Sequence, residues 1–218
     1  YFGILSVLGF LMIAGGFLVH LKSSYLIFIA ILAEISTILF CSFGKNTLFS
    51  NITYVLFVPG QGKNIDVYFS FIPWLPVAIL GILFGRLQKN NWENFIQKLP
   101  VIGVGFILIA SILRFFNLEF FQLRSIPIID WKSFFYGTKY PPSLFFLMMT
   151  LGISMLILFV LHKLSFSNFF KIILKPLSII GKSALFFYMA HLALYRFLGL
   201  FPEIFNGNYS GVIFAWFA

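Results

Sequence analysis

A histidine and two tyrosines share one face of an apolar stretch near the end of the sequence. Tyr188, His191 and Tyr195 follow one another at steps of three and four within Gly181–Leu200, and residues at those steps lie on one side of a helix. Imidazole titrates near neutral pH, so His191 could act as a general base, and Tyr188 could donate a hydrogen bond to a reacting carbonyl oxygen. We therefore predict His191 and Tyr188 as catalytic residues. A histidine hydrogen-bonded between packed helices is the alternative.

A carboxylate, Glu34, lies near the middle of a second apolar stretch, 25–43. A charged group at this depth is costly in lipid unless it has a partner or becomes neutral, so Glu34 is a candidate for substrate contact. Structural pairing with another helix is the alternative. The neighbouring Ser36 and Thr37 are expected to hydrogen-bond back to their own helix.

The run Lys139-Tyr140-Pro141-Pro142-Ser143 opens a further apolar stretch. The prolines hold the chain extended, and Pro142 suits the first turn of a helix. Free N–H groups at a helix start beside a lysine could bind an anionic or sugar substrate. We therefore predict that Lys139, Tyr140 and Ser143 bind substrate; an ordinary proline-led helix start is the alternative.

Trp74 and Arg86 complete the predicted substrate-binding set, and both lie in the apolar stretch 69–87. In a membrane cavity, Arg86 could contact a polar substrate or relay protons. Both residues also suit the membrane interface, because tryptophan is frequent there and a long arginine side chain reaches it from within a helix. The sequence leaves the two roles open.

These residues belong to a chain with the composition of a membrane protein. Of its 218 residues, 61% are hydrophobic and 10% are charged, whereas soluble domains have roughly 25% charged residues. The net charge of +9 comes from basic residues in loops between apolar runs, which membrane topology explains without nucleic acid. Because the chain has a single cysteine, it cannot form an internal disulfide. It has no metal-binding or nucleotide-binding motif, so we predict no metal and no bound cofactor.

Six apolar segments predict an all-α, polytopic transmembrane helix bundle that forms one domain over 1–218. They run over about 2–21, 25–43, 69–87, 99–116, 143–163 and 181–200. A loop over Gly44–Val67 separates the second from the third, and a short loop with Lys89 and Glu93 separates the third from the fourth. A seventh segment begins at 211–218. Because the chain starts at Tyr1 without Met and ends in that apolar run, we expect a piece of a longer protein.

The basic residues also predict an orientation. If the loops alternate across the membrane, the short connections on one side collect Lys22, Arg86, Lys89, Lys98, Lys163, Lys171, Lys175 and Lys182. Short, lysine-rich loops are typically cytoplasmic. The Lys139–Ser143 corner then faces the opposite side.

Four stretches, taken in order, resemble a known family. They are FGILSVLGFLMIAG (Phe2–Gly15), DVYFSFIPWLPVAILGILFGRL (Asp66–Leu87), TKYPPSLFFLMMTLG (Thr138–Gly152) and PLSIIGKSALFFYMAHLAL (Pro176–Leu194). They are similar to bacterial membrane proteins grouped with the heparan-alpha-glucosaminide N-acetyltransferase catalytic domain, also catalogued as DUF1624. The KYPPS and GKSALFFYMAH runs are the most specific of the four.

The resemblance implies a transmembrane acyltransferase in a bacterial cytoplasmic (inner) membrane. The best understood relatives take acetyl-CoA from the cytoplasmic side and acetylate an amino sugar across the membrane, so an acyl-CoA co-substrate and a sugar or glycan acceptor are implied here. The histidine regarded as catalytic in the family lies on an early helix that would fall before Tyr1. Ser6 stands where similar sequences often have histidine, so no proton transfer is assigned to it.

Three classes of function stay open on the residues alone. One is the acyltransferase, which the resemblance favours. Another is a transporter or flippase of a small polar or lipid-linked substrate, with Glu34, Arg86 and His191 as relay or substrate contacts. The third is a structural or assembly subunit. The expected partners are membrane lipids, acyl-CoA and the acceptor, with homodimerisation left open.

Overall fold

The computed structural model describes residues 3–43, 50–61, 65–116 and 128–198. Helices dominate this part of the chain, which confirms the predicted all-α class apart from a small two-stranded hairpin. The chain divides into two compact units, Tyr1–Val160 and Leu161–Ala218. The prediction of one domain over 1–218 stays a prediction.

The first two helices follow one another across a short turn. Helix α1 covers Ile4–Leu18 and helix α2 covers Ser23–Phe43. The start of α2 lies two residues before the predicted one, because the polar Ser23 and Ser24 form the first turn of the helix ahead of the apolar run. Helix α1 has 15 residues, or about 22 Å at 1.5 Å per residue, which is less than the roughly 30 Å of a bilayer core.

Part of the predicted loop Gly44–Val67 is ordered secondary structure. It contains helix α3, Ser50–Leu56, and an antiparallel hairpin of β1, Gly60–Gln61, and β2, Asp66–Val67. Gly60 lies opposite Val67, and a Cβ at Gly60 would approach Cε1 of Tyr54 to 2.5 Å. The ring of a residue in α3 therefore packs directly on the hairpin backbone. The segment forms a small cap at the end of α2.

Helix α4 covers Leu75–Phe115 and follows a 3-10 turn at Ile72–Trp74. It replaces the two predicted segments 69–87 and 99–116 and the loop between them. The helical backbone continues there because the connection contains helix-forming Gln, Lys and Glu residues and neither glycine nor proline before Pro100.

Helix α4 nevertheless turns back on itself. Pro76 and Phe106 line the same cavity, although they would be roughly 45 Å apart in a straight helix. The rings of Phe84 and Phe95 also approach one another, with centroids 5.1 Å apart. The midpoint of both pairs falls at 89–91, where the sequence predicts the polar connection. The two predicted segments are therefore two arms of one continuous helix.

The second arm of α4 packs against helix α6, Leu144–Leu164, which closely matches the predicted segment 143–163. A Cβ on Gly103 would lie 2.9 Å from the carbonyl oxygen of Gly152, and a Cβ on Gly152 would lie 2.7 Å from that of Gly103. Glycine at both positions lets the two backbones approach this closely. The same interface buries Leu99 and Met155.

The predicted segment 181–200 is only part of a bent helix pair. Helix α7 covers Asn168–Lys182, helix α8 covers Ala184–Leu198, and their axes differ by 77°. The structure therefore places a break at Ser183, inside the predicted segment, and a helix where the sequence analysis assigned none. Residues 199 and 200 lie outside the described residues.

The predicted number of membrane spans is not confirmed. Within the described residues, three helices are long and apolar enough to cross a membrane: Ser23–Cys41, Trp92–Phe115 and Leu144–Leu164. The bent pair α7–α8 makes a fourth if it counts as one span, and α1 falls below the required length. The beginning of the predicted seventh segment lies outside the described residues.

Candidate functional site

Glu34 lies beside a cavity between α2, α4 and α6. The cavity has a volume of about 520 Å³. Its described lining is apolar except for Glu34, and consists of Ala30, Ile31, Glu34, Ile35, Ile38, Pro76, Val77, Leu80, Phe106, Leu144, Leu147, Met148 and Leu151. The Oε1 atom of Glu34 is buried and has no hydrogen-bond partner among the described residues. The arrangement places one hydrogen-bonding group at the wall of an otherwise apolar space.

The polar neighbours of Glu34 on α2 do not pair with it. The hydroxyls of Ser36 and Thr37 both donate to the carbonyl oxygen of Ala33, each at 2.8 Å. This confirms the expectation that they bond back to their own helix. The hydroxyls satisfy themselves locally, so neither supplies the donor that the buried Oε1 atom of Glu34 lacks.

The Lys139–Ser143 corner is built around the start of α6. The hydroxyl of Ser143 accepts a hydrogen bond from the N–H of Phe146 at 3.2 Å, and the N–H of Ser143 donates to Thr138 O at 2.9 Å. Ser143 is buried and therefore caps the first turn of the helix. Its predicted role in substrate binding stays a prediction, and the hydroxyl already has a structural partner.

An aromatic cluster joins this corner to the beginning of α4. The ring of Phe69 lies 4.9 Å from that of Tyr140 and 6.1 Å from that of Trp74. The ammonium of Lys139 lies 5.3 Å from the centre of the Tyr140 ring. The structure thus brings together three predicted substrate-binding residues through Phe69, which the sequence analysis did not single out. The aromatic run FSFIPW before α4 was the available signal.

The aromatic cluster and the Glu34 cavity lie next to one another along the chain. Pro76 lines the cavity two residues after Trp74, and Leu144 lines it directly after Ser143. The elements that carry the corner therefore also build the cavity wall. Lys139 and Tyr140 do not line the cavity themselves.

Arg86 joins the α1–α2 turn to the first arm of α4. Its guanidinium donates to the carbonyl oxygens of Val19 at 2.8 Å and Leu21 at 2.5 Å, and to the hydroxyl of Ser23 at 3.0 Å. A cation at the end of α1 is favoured because the last carbonyls of a helix carry partial negative charge. The structure gives Arg86 a positioning role at this turn. Its predicted role in substrate binding stays a prediction.

Arg114 is a buried residue whose importance the sequence analysis missed. At the end of α4, its guanidinium donates to Ser133 O at 2.7 Å and Phe134 O at 3.1 Å. These carbonyls end the short helix α5, Trp131–Phe134, whose first turn is capped by Asp130. The N–H of Ser133 holds the pKa of the Asp130 carboxyl below its usual range. An arginine that ends an apolar run was the signal, but its partners are backbone atoms that no motif reveals.

Tyr188 and His191 lie on α8, in the second compact unit. Their ring centroids are 5.1 Å apart in an edge-to-face arrangement, which confirms that they share a face. The Nδ1 atom of His191 lies 3.2 Å from Phe187 O. Because a carbonyl oxygen only accepts, Nδ1 is the donor in this contact. The side chain of Tyr195 lies outside the described residues.

A family model described as heparan-alpha-glucosaminide N-acetyltransferase, catalytic, matches residues 1–110. The chain belongs to this family. No curated protein and no solved structure matches it. Membership in the heparan-alpha-glucosaminide N-acetyltransferase family, together with the apolar helices, indicates an integral membrane protein with an acetyltransferase-like function.

The match to the N-acetyltransferase family covers α1 to α3 and most of α4. Glu34, Trp74 and Arg86 lie within it. The other five predicted site residues, Lys139, Tyr140, Ser143, Tyr188 and His191, lie beyond it, so the family assignment does not bear on them. Among the described residues, no group of three histidine, cysteine, aspartate or glutamate side chains could hold a metal ion.

Proposed function

We propose that this protein is an integral membrane acyltransferase that transfers an acetyl group from acetyl-CoA, or another acyl group from its CoA thioester, to a sugar or glycan acceptor. The observation that carries the proposal is the family match over 1–110. The acyl-CoA is a co-substrate here and not a resident cofactor. We place the protein in a bacterial cytoplasmic membrane, in contact with membrane lipids, and leave homodimerisation to experiment.

Acyl transfer needs a base for the nucleophile's proton and a donor for the developing oxyanion. His191 suits the first role, because imidazole is the side chain that most often serves as a general base. The hydroxyl of Tyr188, whose ring packs against that of His191, suits the second. Lys139, Tyr140 and Trp74 form the aromatic and cationic surface that we assign to the acceptor.

The test is acceptor-dependent release of CoA thiol by the full chain in detergent, with acetyl-CoA and a panel of sugars and glycolipids. We expect His191→Ala to reduce the rate by roughly 100-fold or more, the typical contribution of a positioned general base. His162→Ala is the matched control, because its ring also packs edge-to-face on a neighbouring aromatic, Phe166, at 5.1 Å. Full turnover by a folded His191→Ala variant would remove His191 from the mechanism.

A carrier is the second candidate, and the carboxyl of Glu34 in its cavity favours it. A buried acidic group without a described partner is typical of a proton relay or a substrate contact in transporters. Flux of substrate into proteoliposomes under a proton gradient, with no acyl-CoA present and with its loss in Glu34→Gln, would support the carrier. Thiol release that depends on an acceptor would support the enzyme.

A further inference from the structure

We propose that the Glu34 cavity binds the apolar chain of a membrane amphiphile, whose uncharged or cationic head donates a hydrogen bond to Glu34. If the proposed acyl transfer is correct, this amphiphile is the acceptor, so the acceptor sugar is carried on a lipid chain. The assignment of the amphiphile as the acceptor rests on the proposed function, whereas binding of its apolar chain in the cavity does not.

The size of the cavity excludes an acetyl group as its sole occupant. A cavity of about 150 Å³ already accommodates benzene, and this one has about 520 Å³, within the roughly 300–1,000 Å³ of ligand pockets. Its described walls offer no hydrogen-bonding side chain apart from Glu34. A long aliphatic chain fits that volume and that lining, whereas a free sugar would lose most of its hydrogen bonds to water.

Glu34 determines which head group fits. Its buried Oε1 lacks a donor among the described residues, and an unpaired buried acceptor is unfavourable. A hydroxyl or an ammonium supplies that donor whether the carboxyl is ionised or protonated. A sulfate head has no proton to donate and is repelled by the ionised carboxylate.

The surroundings of the cavity also fit an amphiphile. Pro76 and Leu144 place the cavity wall directly after Trp74 and Ser143 in the chain. The cluster of Trp74, Phe69 and Tyr140 is therefore carried by the same elements as the cavity wall. Aromatic rings with a nearby lysine are suited to the polar part of an amphiphile at a membrane boundary.

The experiment uses three photoreactive probes that share one octadecyl chain and carry an amine, a hydroxyl or a sulfate head. Each probe is cross-linked to the full chain in detergent without acyl-CoA, and the labelled peptides are identified by mass spectrometry. We expect the amine and hydroxyl probes to label peptides of α2, α4 and α6 roughly tenfold more than the sulfate probe. Glu34→Gln should abolish the preference for the amine and hydroxyl heads, while the octadecyl chain of each probe still binds.

A second pair of variants tests the cavity itself. Leu80→Trp fills the space from its α4 wall and should reduce labelling by all three probes. Ile157→Trp is the matched control, since Ile157 lies on α6, is exposed and does not line the cavity. Equal labelling by the three heads in the unmodified protein, or equal labelling in the two tryptophan variants, would overturn the proposal.

The outcomes separate this proposal from the proposed function. Labelling without thiol release on any acceptor would retain the lipid site and favour a carrier. Thiol release on a water-soluble sugar, together with no cavity labelling, would retain the acyltransferase and overturn the lipid-chain site.

A separate observation concerns α7, where the lysines lie on one stripe. Lys171, Lys175 and Lys182 follow at steps of four and seven, which places them within a narrow arc of the helix. The opposite face consists of the exposed apolar side chains of Phe169, Ile173, Leu177 and Ile180. The helix meets α8 at 77°, so the two helices do not continue as one straight span. We infer that α7 lies in the interface and binds anionic phospholipid headgroups.

The test is hydrogen exchange of the full chain in phosphatidylcholine nanodiscs with and without phosphatidylglycerol. We expect phosphatidylglycerol to slow exchange in α7, with an effect on the order of fivefold per lysine. Replacing the three lysines by glutamine should remove this dependence, whereas replacing them by arginine should retain it. If exchange in α7 is slow without phosphatidylglycerol and equally slow in the glutamine and arginine variants, protein covers this helix. That result would overturn the inference.

Discussion

Arg114 and Glu34 are both charged residues of apolar helices, and the structure treats them in opposite ways. The guanidinium of Arg114 donates to two carbonyls at the end of α5 and lies 5.8 Å from the centre of the Phe145 ring. The buried oxygen of Glu34 has no partner among the described residues and lies beside an apolar cavity. A partnered charge stabilises the fold, whereas an unpartnered one is retained at a cost in stability. The difference separates a structural charge from a candidate functional one.

The largest expected effect on stability is that of Arg114→Leu. The substitution removes two charge-assisted hydrogen bonds, at a cost of about 3 kcal/mol, and leaves the carbonyl of Phe134 without this donor, while Ser133 O keeps the N–H of Tyr136. Thermal unfolding in detergent measures the loss. Arg114→Lys is the control, because it keeps the charge but cannot reproduce the forked geometry. Its unfolding temperature should lie between those of the unmodified protein and Arg114→Leu. If Arg114→Leu unfolds at the same temperature as the unmodified protein, other contacts hold α5 in place.

The second-largest loss of stability is expected at the crossing of α4 and α6, two helices that form part of the cavity wall. A Cβ at Gly152 would lie 2.7 Å from Gly103 O and 2.8 Å from Cγ1 of Ile107. Gly152→Ala should therefore push the helices apart and cost about 2 kcal/mol. Gly105→Ala on α4 is the control, since nothing lies within 4 Å of its Cβ; it should be neutral or slightly stabilising. Equal melting temperatures of the two variants would argue against the close crossing.

A smaller effect is expected at Arg86, which lies at a more accessible place than Arg114. Arg86→Gln removes the charge that faces the carbonyls of Val19 and Leu21 and should cost about 1 kcal/mol. Because water can replace part of the lost interaction, the cost is below that at Arg114. Denaturation of the variant beside Ser23→Ala, which removes one partner of the same guanidinium, separates the two contributions. A larger loss at Arg86 than at Arg114 would reverse the ranking.

The features that the sequence predicted correctly depend on local periodicity. The bounds of α2 and α6, the shared face of Tyr188 and His191, and the back-bonding of Ser36 and Thr37 all follow from residues within a few positions of one another. A helix fixes such relations by its own geometry.

The features that it missed depend on contacts between distant parts of the chain. Phe69 meets Tyr140 across the bundle, and Arg114 meets backbone oxygens about twenty residues later. The sequence predicted a loop near Lys89 between two separate helices. The chain does reverse its direction there, but it stays helical throughout. A polar connection reads as a loop in a sequence, although its residues form helix readily when both arms can pack.

The smallest expected loss of stability, and the decisive one for the comparison, is that of Glu34→Gln. Glutamine has nearly the same shape and removes a buried charge that has no described partner, so the free energy of unfolding should stay the same or rise. The same variant should lose the head-group preference of the cavity and, if the acceptor binds there, its turnover. Thermal unfolding beside Arg114→Leu, followed by the labelling and thiol-release assays, measures all three. A loss of stability comparable to that of Arg114→Leu would make Glu34 another structural charge, and the cavity would then need a different polar group to select its ligand.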